Sequence, residues 1–475
     1  MVAGVSGFNS QIESLVQQYR ASQRKFIVPL ENRKTSLNAR IKALADLKKK
    51  LEDLNSVSNG LRRKDSGSTL GVHAANSSDD SVVEASVSSG RAAGMHTLTV
   101  TQLAKQDTVL SARVNSQGDS IVTNFGAGER YFTLTIQGVT TDINVVIEDD
   151  DTNVTVMNKI AAAVNSSGTE VAASVINDTT STSRLVLKSK ESGSENAIVL
   201  NESGGGLLHA IGLTSDVLSG RKASGSSEAG YLHTSSSMLD AHFIMDGVEV
   251  IRGSNVISDV LADVTLTLKN TSETAVNINI SPDIEKIKEN IEKFINSYNE
   301  VINYLTSRTS IDGELNVRQI FAGDTQMRGL RIDLRMIVGG MVSGIEEGRP
   351  NSLYDIGIQA HPDGTLYFAD TGKFENAVIS DLDSIAAIFN AEDGVAVQFN
   401  NRLQTFVSTG GFIDNSREGA DGQLRNLNSR IEDMQRRIDV RVERFRDEFI
   451  KMQGMIAAAN QQLQMLSNLQ MFYMG

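Results

Sequence analysis

The sequence predicts an α+β chain of several domains, in which N- and C-terminal helices form a coiled-coil leg and β-rich domains are inserted between them. Three observations predict it. Sustained apolar heptads are confined to the two ends of the chain, a period of two takes over from Ser81, and helical periodicity returns only after Pro282. At 475 residues the chain is long enough for roughly two to four domains with ample core.

Segment 421–475 reads as one long helix. Alternating steps of three and four from Leu424 visit Leu427, Ile431, Met434, Ile438, Arg441, Phe445, Glu448, Met452, Met455, Ala459, Gln462, Leu466, Leu469 and Tyr473, an a/d stripe with polar residues between. After Lys451 no charged residue remains. Gln461, Gln462, Gln464, Asn468 and Gln470 nevertheless make the tail too polar to span a membrane, so the stripe calls for a protein partner. At the other end, Leu30, Leu37, Leu44 and Leu51 lie seven apart, with Leu47, Leu54 and Leu61 as the companion seam. That seam is polar early, at Arg33 and Arg40. Two stripes that cannot be buried alone pair most simply as an antiparallel stalk. The alternative is that both pack on a globular core, but stripes this narrow favour the stalk.

Taken in order, a helix is expected from Asn9 or Ser10, broken or kinked at Pro29, followed by the heptad segment to Leu61. Asn59-Gly60 and the run RRKDSGSTLG mark a junction. Val83, Ala85 and Val87 alternate with polar residues, as do Leu98 and Val100, which predicts strands. Between Thr108 and Ser237 the composition turns rich in Ser, Thr, Asn and Gly. YFTLTIQG, INVVIED and RLVLKS read there as strands and 154–164 as a short helix. Asp246-Gly247 between two apolar runs signals a hairpin. AVNINIS is a further strand, and Pro282 opens a helix over 283–305 with Ile284, Ile287, Ile291, Phe294, Ile295, Tyr298 and Ile302 on one face. Helices are expected over 327–342 and 381–390, and a turn at 361–364 precedes the strand TLYF. The domain reading is therefore 1–64 with 421–475 as the stalk, 65–75 with 281–420 as a mixed helical domain, 76–110 with 238–280 as a β-rich domain, and 111–237 as a variable β-rich insertion.

Composition excludes much chemistry. With no cysteine there are no disulfides, thiol nucleophiles or thiolate metal sites. The formal charge of −13 is uneven, since residues 1–65 hold 13 Lys or Arg against 6 Asp or Glu, and the acidic remainder argues against a nucleic-acid ligand. Six histidines, at 73, 96, 209, 233, 242 and 361, show no paired helical spacing. Gly126-Ala127-Gly128 and Gly204-Gly205-Gly206 lack the Lys-Ser/Thr or third glycine of phosphate loops, and no G-x-S-x-G elbow occurs. The acidic run Glu148 to Asp151 lacks calcium-loop spacing and reads as a solvated turn. No catalytic, cofactor or metal site is expected. No cleaved secretory signal and no transmembrane helix are visible.

The order of a helical arm, GMHTLTVTQLAKQDTVLS, a variable β insertion, DGVEVIRGSNVISDVLADVTLTL, FINSYNEVINYL, AGDTQMRGL, LYDIGIQAHPDGTLYF and RVERFRDEFIKMQGMIAAANQQLQML resembles the bacterial flagellar filament cap family, also called hook-associated protein 2. The resemblance covers about the first 110 residues and the chain from Asp240 onward. It departs at the N-terminus, where VAGVSGFNS replaces a Gly-rich opening. The resemblance implies a structural cap at the distal end of the filament that promotes folding and insertion of exported flagellin and prevents its loss. It implies a ring-shaped homo-oligomer, contact with flagellin and the hook-filament junction proteins, and export through the flagellar apparatus to the extracellular tip. The coiled-coil and filament interface would use Leu37, Leu44, Leu47, Leu51, Leu54, Leu61, Leu427, Ile431, Met434, Ile438 and Phe445. A cytoplasmic export chaperone would cover Met452, Met455, Ile456, Ala459, Leu463, Leu466 and Leu469. The rival reading is a surface adhesin acting through the β-rich insertion, although the absence of tryptophan leaves it few rings to stack on sugars.

Overall fold

The computed structural model describes residues 3–473 apart from Ser66, 89–91, Gly205 and 313–316. The chain divides into a helical unit, 1–70 with 284–475, and a β-rich unit, 71–283. The stalk and the mixed helical domain expected from the sequence thus belong to one unit, except that residues 71–75 and 281–283 go with the β-rich unit.

The helical unit begins with α1 (Ala3–Arg24) and α2 (Val28–Arg62). The break falls at residues 25–27, upstream of the expected site. Pro29 sits in the first turn of α2, where its missing N–H would have had no partner in any case.

The β-rich unit runs β1 (His73–Ser77), β2 (Val83–Val87), β3 (Gly94–Gln102), β4 (Gln106–Leu110), β5 (Val114–Asn115), α3 (Ser120–Phe125), β6 (Gly128–Ile136), β7 (Val139–Ile147), α4 (Asn153–Ser166), β8 (Val171–Ile176) and β9 (Thr182–Ser192). It continues through β10 (Val199–Gly204), α5 (Leu207–Ala210), α6 (Ser215–Ser219), β11 (Gly230–Tyr231), β12 (Ala241–Met245), β13 (Val248–Arg252), β14 (Val256–Ile257), β15 (Val264–Leu268) and β16 (Val276–Pro282).

Its strands build two cores. A five-stranded sheet in the order β1-β16-β3-β12-β13 and the smaller sheet β14-β15-β2 share one core, in which Leu98, Val100, Phe243 and Ile278 meet Val83, Val264, Leu266 and Leu268. Period-two alternation puts those side chains inside and threonines and asparagines outside. The insertion has a core of its own. Phe132 and Leu134 of β6, Ile143 and Val145 of β7, Val156, Met157, Ile160 and Val164 of α4, and Leu185 and Leu187 of β9 close on one another. Thr152 caps α4 by accepting from Thr155 N. The acidic run before it is not simply a solvated turn: Asp151 is buried and accepts from Lys159 Nζ at 2.7 Å and from Glu148 N at 2.8 Å.

Two local devices fix the β-rich unit. Asp107, fully buried, accepts from Ile198 N and from Arg221 Nη2, both at 2.7 Å, and that guanidinium lies 4.1 Å from the centre of the Tyr231 ring. Burial pushes the Tyr231 phenol up to about 12. The β12–β13 hairpin turns at Asp246 and Gly247, both at positive φ (49° and 84°), the primed geometry that matches strand twist. Asp246 also accepts from Thr97 N and sits 2.7 Å from His96 Nδ1.

The helical unit resumes with α7 (Ile284–Thr309), β17 (Ile311–Asp312), β18 (Val317–Arg318), α8 (Thr325–Val338), β19 (Ile358–Ala360), β20 (Leu366–Phe368), α9 (Thr371–Asn390), α10 (Val395–Val407) and α11 (Phe412–Tyr473). Ile287, Ile291, Phe294, Ile295, Tyr298 and Ile302 of α7 are buried, as expected, and so are Val301 and Leu305, whereas Ile284 is only half-buried. Phe399 meets Phe294 edge-on at 5.3 Å and Tyr298 at 5.9 Å. The Tyr298 hydroxyl donates to Gly364 O in the expected 361–364 turn.

Four boundaries differ from expectation. Helix α8 stops at Gly339-Gly340, short of Val342. Helix α9 begins ten residues before Asp381 and bends there (φ −159°), because the Asp381 carboxylate receives both Arg349 and Ser384 N. Helix α10 was not anticipated. Helix α11 starts at Phe412 and runs through Gly419 and Gly422.

The pair of His96 and Asp246 sets a pH signature. The hydrogen bond raises the His96 pKa and lowers that of Asp246. The histidine contribution is complete below its ordinary value of about 6.5 and is lost as pH rises through the raised one. The aspartate contribution is complete above about 3.9 and is lost as pH falls through the lowered one. Thermal melts across pH should show the gap between the parent and His96→Gln widest between the lowered aspartate and the ordinary histidine values, and narrowing as pH rises through the raised histidine value. A gap independent of pH would exclude this pairing.

Candidate assembly surface

Helix α11 spans 62 residues, about 93 Å, and no helix of that length can bury its own stripe. Its first turns lie in the helical body: Lys48 Nζ of α2 binds Asp414 at 2.6 Å and holds that carboxyl below its usual range. Farther along, Leu427, Ile431, Ile438 and Val442 close on Val16 and Ile27 in a small core, with Tyr19, Leu30, Leu37, Met434, Phe445 and Phe449 packed against it. Tyr19 of α1 stacks on Phe445, centroids 4.4 Å apart and planes 14° from parallel. Arg20 reaches Asp439 at 3.8 Å and Arg446 pairs with Glu13, so α1 runs antiparallel to α11.

The expected interface residues therefore divide. Leu37, Leu427, Ile431, Met434, Ile438 and Phe445 are brought together. Leu44, Leu47, Leu51, Leu54 and Leu61 lie outside that core and are fully buried in the part of α2 packed against α7, α9, α10 and the first turns of α11. Tyr304 of α7 donates to Ala43 O, and Asn400 of α10 donates to Asn55 and Asn59. One heptad helix thus serves the stalk in its first turns and a globular core in its last.

The stripe on α11 also departs from expectation. Arg441 and Glu448 are exposed, and Val442 and Phe449 take their places. The steps run 427, 431, 434, 438, 442, 445, 449: two fours in a row meet at Ile438, where a strict heptad would step by three, which amounts to a four-residue insertion in the repeat. Such a stutter keeps the stripe facing its partner as a 3.6-residue helix drifts from a 3.5-residue repeat. It faces the last turns of α1, as Arg20–Asp439 and Gln23–Arg441 show. Val442, Phe445, Phe449, Met452, Ile456, Ala459, Leu463 and Leu466 form one unbroken series of threes and fours, a signal present in the sequence.

Past Phe449 the described stripe is uncovered. Met452 is 44% exposed, Met455 69%, Ile456 52%, Leu463 63% and Leu466 60%, and Ala459 is exposed too. The Leu469 side chain lies outside the described residues. No helix among the described residues is long and apolar enough to cross a membrane, and no group of three or more potential metal-binding His, Asp or Glu residues occurs among them. The geometry suits helix-to-helix assembly.

Comparison with known proteins gives concordant results. Residues 8–107 match the family model described as flagellar hook-associated protein 2 N-terminus, and residues 239–461 the corresponding C-terminus model. The chain is 26% identical to the A-type flagellar hook-associated protein 2 of Pseudomonas aeruginosa, over 96% of this chain and 95% of that protein. It is 23% identical to flagellar hook-associated protein 2 of Escherichia coli K12, over 96% and 94%. The crystal structure of the flagellar cap protein FliD, domains D1-D2-D3, from Escherichia coli superposes with a TM-score of 0.60 at 25% identity, covering 80% of this chain and 99% of that one.

The division of the stripe predicts two different phenotypes. Phe445→Ala should raise hydrogen exchange in α1 roughly threefold to tenfold and leave the second half of α2 unchanged. Leu51→Ala should cost about 2–5 kcal/mol in the helical body. Equal effects of both variants on the whole of α2 would contradict it.

Proposed function

Because the chain belongs to the flagellar hook-associated protein 2 family, we propose that it is the structural cap at the distal end of a bacterial flagellar filament, promoting insertion of flagellin and preventing its loss. The observation that carries this is the pair of family matches on either side of the insertion, which take in both strands of the antiparallel α1–α11 pair and both halves of the five-stranded sheet. The adhesin reading finds no support in the reported relatives, which carry cap-protein names.

In this reading several copies assemble as a ring and contact flagellin and the hook-filament junction proteins. The ring sits outside the cell, at the filament tip, after passage through the flagellar export apparatus. A chain without cysteines suits that passage, since no disulfide has to be undone. The exposed stripe from Met452 to Leu466 serves as the seat of a cytoplasmic export chaperone before export. Leu37, Leu427, Ile431, Met434, Ile438 and Phe445 serve the leg that meets the filament, with Leu44, Leu47, Leu51, Leu54 and Leu61 supporting it from inside.

Cells lacking this chain are expected to have short or missing filaments and flagellin in the medium, restored by the full chain and not by one truncated after Lys451. Filaments of normal length in the deletion strain would overturn the cap reading. Rescue by the truncated chain would remove the tail from it.

A further inference from the structure

Where the two cores of the β-rich unit adjoin, the end of β9 with the turn after it and the β13–β14 connection line a cleft of about 570 Å³, the size of a small-molecule site. Its lining is one-sided in charge. Arg252 is the one cation there, and both oxygens of Asp259 hold its Nε, at 3.1 and 3.0 Å. Glu191, Glu195 and Asp240 are left without a counter-ion among the described residues. The two glutamates stand exposed, whereas Asp240 is nine-tenths buried. A buried carboxylate is costly unless its oxygens are paired. Asp240 Oδ1 accepts from Ser194 N at 2.7 Å, but Oδ2 has no hydrogen-bond partner among the described residues. The chain thus leaves half of a buried carboxylate, in the lining of a cleft, to a donor that it does not itself supply.

The chemistry of the lining narrows that donor. No group of three or more potential metal-binding His, Asp or Glu residues occurs among the described residues, so these carboxylates do not converge as the ligands of one metal ion would. Ile251 and Val256, 48% and 59% exposed, add aliphatic surface to the same cleft. Free carboxylates beside aliphatic surface match a cation carried on a hydrocarbon stem, which lays the stem on the apolar atoms and donates charge-assisted hydrogen bonds from its head. We propose that this cleft binds an aliphatic ammonium group, with Asp240 Oδ2 as its central acceptor and Glu191 and Glu195 at the rim. Ser194 and Glu195 come from the insertion and Asp240, Ile251 and Val256 from the segment after it, so the bound group ties the insertion to the sheet beside it.

The full chain is titrated calorimetrically at constant ionic strength with 1,5-diaminopentane, and separately with N-acetyl-lysinamide, which carries the same head on a protein-like stem. Expected is saturable binding at one site per chain, with slowed hydrogen exchange over 191–196 and 251–259. Asp240→Asn weakens it roughly tenfold. The double variant Glu191→Gln/Glu195→Gln, which alters exposed side chains only and so spares folding, weakens it roughly twofold to fivefold. Asp142→Asn, at an exposed carboxylate outside the cleft, leaves it unchanged. Saturation by either amine supports the site, and which of the two binds separates a free amine from a lysine side chain as the occupant. Equal displacement by magnesium chloride, an affinity indifferent to both cleft variants, or no saturable binding of either amine overturns the proposal and leaves Asp240 to water.

Discussion

Everything in the helical unit follows from one constraint: α11 carries an apolar stripe along a helix far longer than any single element available to cover it. The chain meets this in relays. The helical body takes the first turns, α2 the next, α1 the stretch around Phe445, and nothing within the described residues takes the remainder. Each change of partner leaves a mark. The Lys48–Asp414 pair stands at the first, and the stutter at Ile438–Val442, facing the last turns of α1, stands at the second.

Much of this could be read from residue spacing because heptads and strand alternation are local properties. The stripe on α11, the hairpin at Asp246-Gly247, the buried face of α7 and the strands of the insertion were all visible in that way. What escaped was set by distant partners. The leucines of α2 have the same spacing whether they face a stalk or a globular core, and only the arrival of α7, α9 and α10 decides between them. Asp381 bends α9 because Arg349, far along the chain, binds it. The end of the predicted seam failed for a different reason. A strict heptad runs through Arg441 and Glu448, whereas Val442 and Phe449 stand one residue away.

The β-rich unit separates its tasks. The core around Phe243 joins segments from before and after the insertion, whereas the core around Phe132 is built from the insertion together with Val109 of β4, which pairs with β9 and β11. Between them run polar ties rather than shared apolar packing: Ser194 N donates to Asp240, and Ser192 Oγ to Gly253 O. Gly193 has a positive φ, and a side chain there would meet the Gly253 backbone. The family models match the flanks and leave this segment between them, in keeping with a core that answers only to itself.

The exposed ion pairs between α1 and α11 tie α1 to the ionic strength of its surroundings. The screening length is about 30 Å at 0.01 M salt and about 3 Å at 1 M, so Glu13–Arg446 and Arg20–Asp439 attract far more in dilute medium than in brine. The leucines of α2, sealed from solvent, are indifferent to that change. Salinity therefore acts on this joint, tightening α1 on α11 in fresh water and slackening it in the sea.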